Sequence, residues 1–229
     1  MAAQPADRSA AQPAARSTKQ RRPRRSAAEV QPLILAAARD LFLAKGFHAT
    51  TTRDIAARAG VAETMLFRYC GSKTRLFEDV VLEPFQAFLA EFVARWENRV
   101  TQVETTEDVI RSFTTGFYML IRQHRELLLA LAAAQVHPHD PLHDAASAVG
   151  TKLATLLGQL STMTAAEGEI RHLPGIDNPA LTNAVGIGMV MSLALLDDWL
   201  FIPGNAAPTA SQVTHELATM MAHGMTSRP

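Results

Sequence analysis

Apolar residues recur at helical spacing along most of this chain of 229 residues, and no strand-like alternation competes with them. From Glu29 onward Ile34, Ala38, Leu41 and Phe42 fall on one face, and Lys45-Gly46 closes that helix with a cation and a C-terminal glycine. Thr51 followed three residues later by Asp54 has the form of a capping box, and Ile55, Ala56 and Ala59 then predict a short amphipathic helix ended by Gly60. A third short helix, over about 62–69, turns Leu66 inward before Gly71-Ser72 interrupts the chain. Two short helices joined by a glycine turn make a helix-turn-helix.

Ser72 can cap a fourth helix that starts near Lys73 and carries Leu76, Phe77, Val80 and Val81. The pattern runs on through Phe85, Phe88, Leu89, Phe92 and Trp96, with Pro84 inside it. A proline there lacks the N–H for one backbone bond, which predicts a kink or a split. Thr105 with Asp108 marks the next helix start, and helices are predicted over 106–122, 125–135, 142–166, 179–201 and 209–224. The segments between them, 137–141, 167–178 and 202–208, hold the Pro, Gly, Asp and Asn that turns require.

Residues 1–28 differ in kind, because after Met1 they contain no apolar side chain larger than alanine. They cannot bury enough surface to offset chain entropy and are expected to be disordered. Their basic end, Arg21, Arg22, Arg24 and Arg25, suits either a solubilising tail or an arm for DNA phosphates or a minor groove; the helix-turn-helix that follows favours the arm. The formal net charge is zero, yet up to Glu83 there are fourteen Lys and Arg against eight Asp and Glu, a balance of +6 that the remainder cancels. One end can therefore meet phosphate while the other does not. A single cysteine, Cys70, provides neither an intramolecular disulfide nor a thiolate zinc set, and no apolar signal core follows the start, so a cytoplasmic setting is expected. The apolar run 184–196 is thirteen residues long, short of the ~20 that span a bilayer. No membrane association is expected, and a helix apolar all round should be buried on all sides.

The residues Ile34-Leu35-Ala36-Ala37-Ala38-Arg39-Asp40-Leu41-Phe42, Gly46-Phe47-His48-Ala49-Thr50-Thr51, Asp54-Ile55-Ala56, Ala59-Gly60-Val61, Ser72-Lys73 and Leu76-Phe77 resemble the N-terminal DNA-binding module of the TetR family of transcriptional regulators. The resemblance covers roughly residues 30–80. It implies an all-α fold: a three-helix helix-turn-helix DNA-binding domain over 29–82 after the arm, then an all-helical ligand-binding and dimerisation domain over 83–225. It also implies a repressor that leaves a palindromic operator when a small, largely apolar ligand binds, acting as a homodimer through its last two helices. In such proteins the third helix enters the major groove, which would face Glu63, Thr64, Met65, Phe67 and Arg68 toward DNA. Thr51, Thr52 and Arg53 at the start of the second helix, with Arg22, Arg24 and Arg25 of the arm, add further DNA contacts. Tyr69 and Lys73 are the expected phosphate ligands, Lys73 because it opens a helix whose amides also favour an anion. The chain departs from the family pattern at Ala62, Phe67 and Cys70, where serine, tyrosine and phenylalanine are common. Ala62 removes an N-cap oxygen, at a cost of about 0.5–2 kcal/mol.

Phe88, Phe92, Trp96, Phe113, Phe117, Tyr118, Met163, Met189 and Trp199 are core candidates, some of which should line a ligand pocket, with His124, Gln159 and Asn183 as polar orienting groups. His137, His139 and His143 lie near Asp140 and Asp144, but Pro138 and Pro141 break any helix that would align them, so a polar turn is expected rather than a metal site. No cofactor is expected. The alternatives are a helical ligand-binding enzyme, disfavoured because no nucleophile elbow, phosphate loop or HExxH is present, and a protein-interaction scaffold without operator binding.

Overall fold

A computed structural model describes residues 26–98, 105–171, 177–201 and 207–226, and the regular structure among them is all helical. The helices are α1 (Ala27–Ala49), α2 (Thr52–Ala59), α3 (Glu63–Cys70), α4 (Lys73–Asn98), α5 (Thr106–Gln123), α6 (Arg125–Gln135), α7 (His143–Arg171), α8 (Pro179–Leu195), α9 (Asp197–Leu200) and α10 (Ala210–Thr226). The chain enters α1 two residues before the expected Glu29, because the Ser26 backbone N–H donates to the Glu29 carboxylate at 2.7 Å and fixes the first turn. Gly46 interrupts α1 at φ 75°, ψ 172°, a conformation essentially reserved for glycine. This bend returns Phe47 to the core, where its ring meets Phe77 at 5.2 Å between centroids, while Phe42 meets Phe77 at 5.1 Å. Phe42, Phe77, Ile34, Ile55 and Leu66 are fully buried, and they hold α1 to α4 together around one apolar centre.

The same core continues through the C-terminal helices, with α4 packed on α7, α5 on α8 and α10, and α6 on α7. Because α4 belongs to both halves, it carries the junction between them. The Arg39 guanidinium of α1 pairs with Glu83 of α4, and Lys152 of α7 reaches Glu78 of α4 at 3.3 Å. Of the kink or split expected at Pro84, the split does not occur: α4 is one continuous helix from Lys73 to Asn98 with Pro84 inside it.

Two boundaries differ from expectation. The loop predicted from residue 167 begins later, since α7 runs to Arg171; Ala165, Ala166, Glu167 and Glu169 are acceptable helix residues, and Gly168 alone is too weak a breaker. The helix predicted over 179–201 divides at Leu196. Arg125 Nε donates to the Leu195 carbonyl at 2.9 Å, while Asp197 pairs with Arg122 and Asp198 with Arg125, so the α5–α6 corner satisfies both the end of α8 and the start of α9.

His124 sits in that corner, buried, and its Nδ1 has no hydrogen-bond partner among the described residues. Burial pushes its pKa down, Arg39 adds to the shift and Glu83 opposes it. Below about pH 6.5 the unfolded chain therefore takes up a proton that the fold resists, so stability falls as the pH drops through that value. The thermal unfolding midpoint of the wild type is expected to decline more steeply on acidification from about pH 7 to 5 than that of His124→Gln; parallel profiles would contradict this.

Candidate nucleic-acid interface and ligand cavity

The turn between α2 and α3 is set by Gly60, left-handed at φ 66°, ψ 36°, with the Val61 N–H donating back to the Ala56 carbonyl at 3.0 Å. Thr51 and Asp54 form the expected capping box: the Asp54 N–H donates to Thr51 Oγ1 at 3.1 Å, and in return the Asp54 carboxylate accepts from the Thr51 side chain and backbone N–H, which holds its pKa below the usual carboxylate range. On α3, Leu66 and Cys70 face the core. Burial, with Asp79 nearby, pushes the Cys70 thiol pKa up, which makes it a poor thiolate. Thr64, Phe67 and Arg68, spaced i, i+3, i+4, form the opposite, exposed face. Phe67 is 47% exposed, unusual for a large aromatic.

The other expected DNA contacts are distributed differently. Met65 and Tyr69 pack partly against the core, and the Arg68 guanidinium lies 5.9 Å from the Tyr69 ring centroid. Thr52 donates its hydroxyl to Glu63, tying the first turns of α2 and α3 together. Ala62 leaves α3 without a side-chain cap, as expected. Arg53 is exposed and makes no hydrogen bond or ion pair with another described residue. Arg22, Arg24 and Arg25 lie outside the described residues.

Lys73 is put to a use that its position in the sequence does not reveal. Its ammonium donates to the carbonyls of Phe47 and Thr50, each at 2.9 Å, and lies 4.0 Å from the Phe47 ring centroid. Two of its three donors are thus committed inward, and burial lowers its pKa. The Thr50 hydroxyl donates to the Gly46 carbonyl at 2.8 Å. Lys73 and Thr50 together satisfy the carbonyls exposed by the Gly46 bend, and so position the segment that begins α2.

In the C-terminal half, one cavity of ≈ 90 Å³ lies among α4, α5, α7, α8 and α10. Its walls follow helical spacing: Phe92 and Trp96 from α4; Thr106, Val109, Ile110 and Phe113 from α5; Leu160, Met163, Thr164 and Glu167 from α7; Asn183 and Ile187 from α8. Met221 of α10 completes the wall. Of the expected ligand residues, Phe92, Trp96, Phe113, Met163 and Asn183 meet here. Phe88, Phe117, Tyr118 and Met189 do not line it. Phe117 and Tyr118 are buried core, and Phe88 and Met189 pack against that core, whereas Trp199, expected in the core, is 84% exposed on the short α9. Gln159 is exposed, because it lies one residue, roughly 100°, around the helix from the inward Leu160. Glu167, 4% exposed, also lines the cavity, although the sequence predicts a loop from residue 167. Its seven-residue spacing from Leu160 was the available signal.

Asn183 links α7 and α8 at the cavity wall, where Thr164 donates its hydroxyl to the Asn183 carbonyl oxygen at 3.1 Å. Among the described residues no group of three or more His, Cys, Asp and Glu is arranged to hold a metal ion; His143 Nδ1 lies 3.1 Å from the Ala134 carbonyl instead. No helix among them is long and apolar enough to cross a membrane. Within the single chain α8 is covered on one side only: Leu181 and Val185 are 60% and 51% exposed, and Ala184 and Gly188 extend the same open stripe. Of the two α8 glycines, Gly186 has a packing reason, since a Cβ there would meet Met221 Cε at 2.6 Å, and Gly188 has none within 4 Å.

Residues 34–80 match the model of bacterial regulatory proteins of the tetR family. A Mesorhizobium loti protein assigned to the TetR family shares 16% identity, with 88% of this chain and 97% of that chain covered at a TM-score of 0.67. The fatty acid degradation regulator FadR of Bacillus halodurans shares 14% identity, with 84% and 98% covered and a TM-score of 0.61. FadR of Bacillus subtilis, solved in complex with stearoyl-CoA, shares 14% identity, with 84% and 98% covered and a TM-score of 0.58. No curated protein sequence matches. The structural likenesses show a common fold across both halves, and the family model fits the helix-turn-helix itself, so the chain has the fold of these regulators and carries the tetR-family match in its first four helices.

Proposed function

We propose that this chain is a repressor that leaves a near-palindromic operator when a small, largely apolar molecule enters the α4–α5–α7–α8 cavity. The observation that carries the reading is a single helix, α4, that begins beside the helix-turn-helix at Lys73 and supplies Phe92 and Trp96 to the cavity wall. Thr64, Phe67 and Arg68 read base edges and Arg53 holds phosphate or guanine; Thr51, Thr52 and Glu63 set the geometry of that surface. Residues 29–82 act as the DNA-binding domain, 83–225 as the ligand-binding and dimerisation domain, and the basic arm adds phosphate contacts. The setting is cytoplasmic. The test is selection of genomic fragments by the full chain, sequencing of the bound sites, and screening of apolar compounds for release; recovery of unrelated sequences would overturn the operator reading.

The homodimer uses α8 and α10, whose open faces carry Leu181, Val185 and Met220, 60%, 51% and 54% exposed. A charge in the middle of such a face is desolvated without a partner on association. Val185→Asp is expected to leave the helical content unchanged, to convert a dimer into a monomer by light scattering, and to weaken binding to an inverted repeat at least tenfold relative to a half-site. A variant that stays dimeric would move the interface elsewhere.

A further inference from the structure

From the exposed face of α3 we infer that Phe67 reads a thymine methyl, so that each operator half-site holds one thymine whose 5-methyl group carries part of the specificity. The inference deepens the operator reading above and rests on it for the placing of α3 in the major groove.

Phe67 differs from the other phenylalanines in its surroundings. Of the ten in the chain it alone is exposed, at 47%, and it is not among the residues packed against the core. Its place is fixed from the far side of the helix, where Leu66 and Cys70 are buried and Met65 and Tyr69 pack partly against the core. α3 cannot turn to bury the ring without bringing Leu66 into water. The Thr52 hydroxyl, bonded to Glu63, ties the first turn of α3 to α2 and resists the same rotation. An apolar ring held in water is unfavourable in proportion to its exposed area, and a partner that covers it removes that cost.

The charges around the ring select the partner. Arg68 is its neighbour, Arg53 is exposed at the start of α2, and neither forms an ion pair with a described residue. A second copy docked on this face would bring the same cations together, which is repulsive, whereas duplex DNA supplies phosphates to meet them. In a helix-turn-helix the second helix enters the major groove. There the base edges offer hydrogen-bond donors, acceptors and one apolar group, the thymine 5-methyl. A phenyl ring has no polar atom with which to bond a base edge, and without a hydroxyl it holds no phosphate. The methyl is what it can take out of water. Thr64 lies about 4.5 Å earlier along the helix axis, not far from the ~3.4 Å rise between neighbouring base pairs, so Thr64, Phe67 and Arg68 reach a short run of adjacent pairs.

The experiment uses the full chain and the duplex it selects, with each thymine replaced in turn by deoxyuridine, which removes only the methyl. Covering one methyl changes affinity about fourfold. One thymine at the same position in each half-site should respond: replacing both should weaken binding roughly tenfold or more, while the other replacements stay within about twofold. In Phe67→Ala the same double replacement should cost less than about twofold, and the thermal unfolding midpoint should be unchanged because the ring is exposed. Low salt keeps both proteins on the DNA for this comparison. In a duplex with cytosine at that position, 5-methylcytosine should bind the unsubstituted protein more tightly than cytosine and make no difference to Phe67→Ala. A selected operator in which no thymine methyl matters, or whose methyl effect is the same in Phe67→Ala, would overturn the inference and leave the operator reading standing. Failure to select any common sequence would overturn both. A change of oligomeric state in Phe67→Ala by light scattering, with the methyl effect intact, would assign the ring to self-association instead.

Discussion

Lys73→Met is expected to weaken binding to every DNA sequence at least tenfold while leaving the slope of log affinity against log salt unchanged. The lost group is the shared donor to the Phe47 and Thr50 carbonyls, and charge-assisted bonds of this kind contribute about 1.5–3 kcal/mol each. Thr50 is 1% exposed, so water cannot readily replace the ammonium. The helix-turn-helix should lose about 2–4 kcal/mol of stability, seen as a lower unfolding midpoint, and the start of α2 should lose its fixed position. Methionine retains the apolar stem against Phe47, which confines the change to the charged head. Were Lys73 a phosphate ligand instead, the salt slope would become shallower by ~0.9 with little loss of stability. Salt titration and thermal unfolding of the same variant therefore separate the two roles.

Signals carried by neighbours in sequence were legible from the chain alone. Thr51 with Asp54 and Thr105 with Asp108 cap helices where their spacing predicted, Gly60 ends α2 in the left-handed conformation, and α6 spans Arg125–Gln135 as its apolar period indicated. Each depends on groups within four residues of one another. What the chain did not disclose depends on groups far apart. The Lys73 ammonium meets carbonyls more than twenty residues earlier, and α8 ends at Leu195 because Arg125 on another helix takes its carbonyl. The cavity shows the same division. Aromatic content identified Phe92, Trp96 and Phe113, but the choice between Gln159 and Leu160, or between Phe117 as core and Phe113 as wall, depends on how α5 and α7 are rotated against their neighbours.

Ile187→Phe is expected to raise the ligand concentration needed for DNA release at least tenfold while leaving operator affinity within about threefold. The cavity of ≈ 90 Å³ is smaller than the about 150 Å³ that admits a benzene-sized guest, so an apolar ligand has to part the helices around it. That parting is what gives the ligand a different affinity for the two conformations, and without such a difference it can shift nothing. Phe92 and Trp96 are on the far half of α4 from Lys73, so outward movement of the wall pulls on the helix that abuts the DNA-binding module. Pro84 lies between, where the missing N–H leaves the Val80 carbonyl without its usual donor and makes bending easier. A phenyl ring at position 187, buried at 7% exposure, occupies the space the ligand would enter, at an overpacking cost of about 1–3 kcal/mol. Leu160→Ala tests the opposite direction: it removes buried volume, should cost about 2–5 kcal/mol of stability, and should lower the concentration of ligand needed for release. If both variants respond to ligand as the unsubstituted protein does, binding occurs elsewhere; if Ile187→Phe alone abolishes DNA binding, the cavity wall supports the DNA-binding conformation directly and is not a ligand-operated wedge.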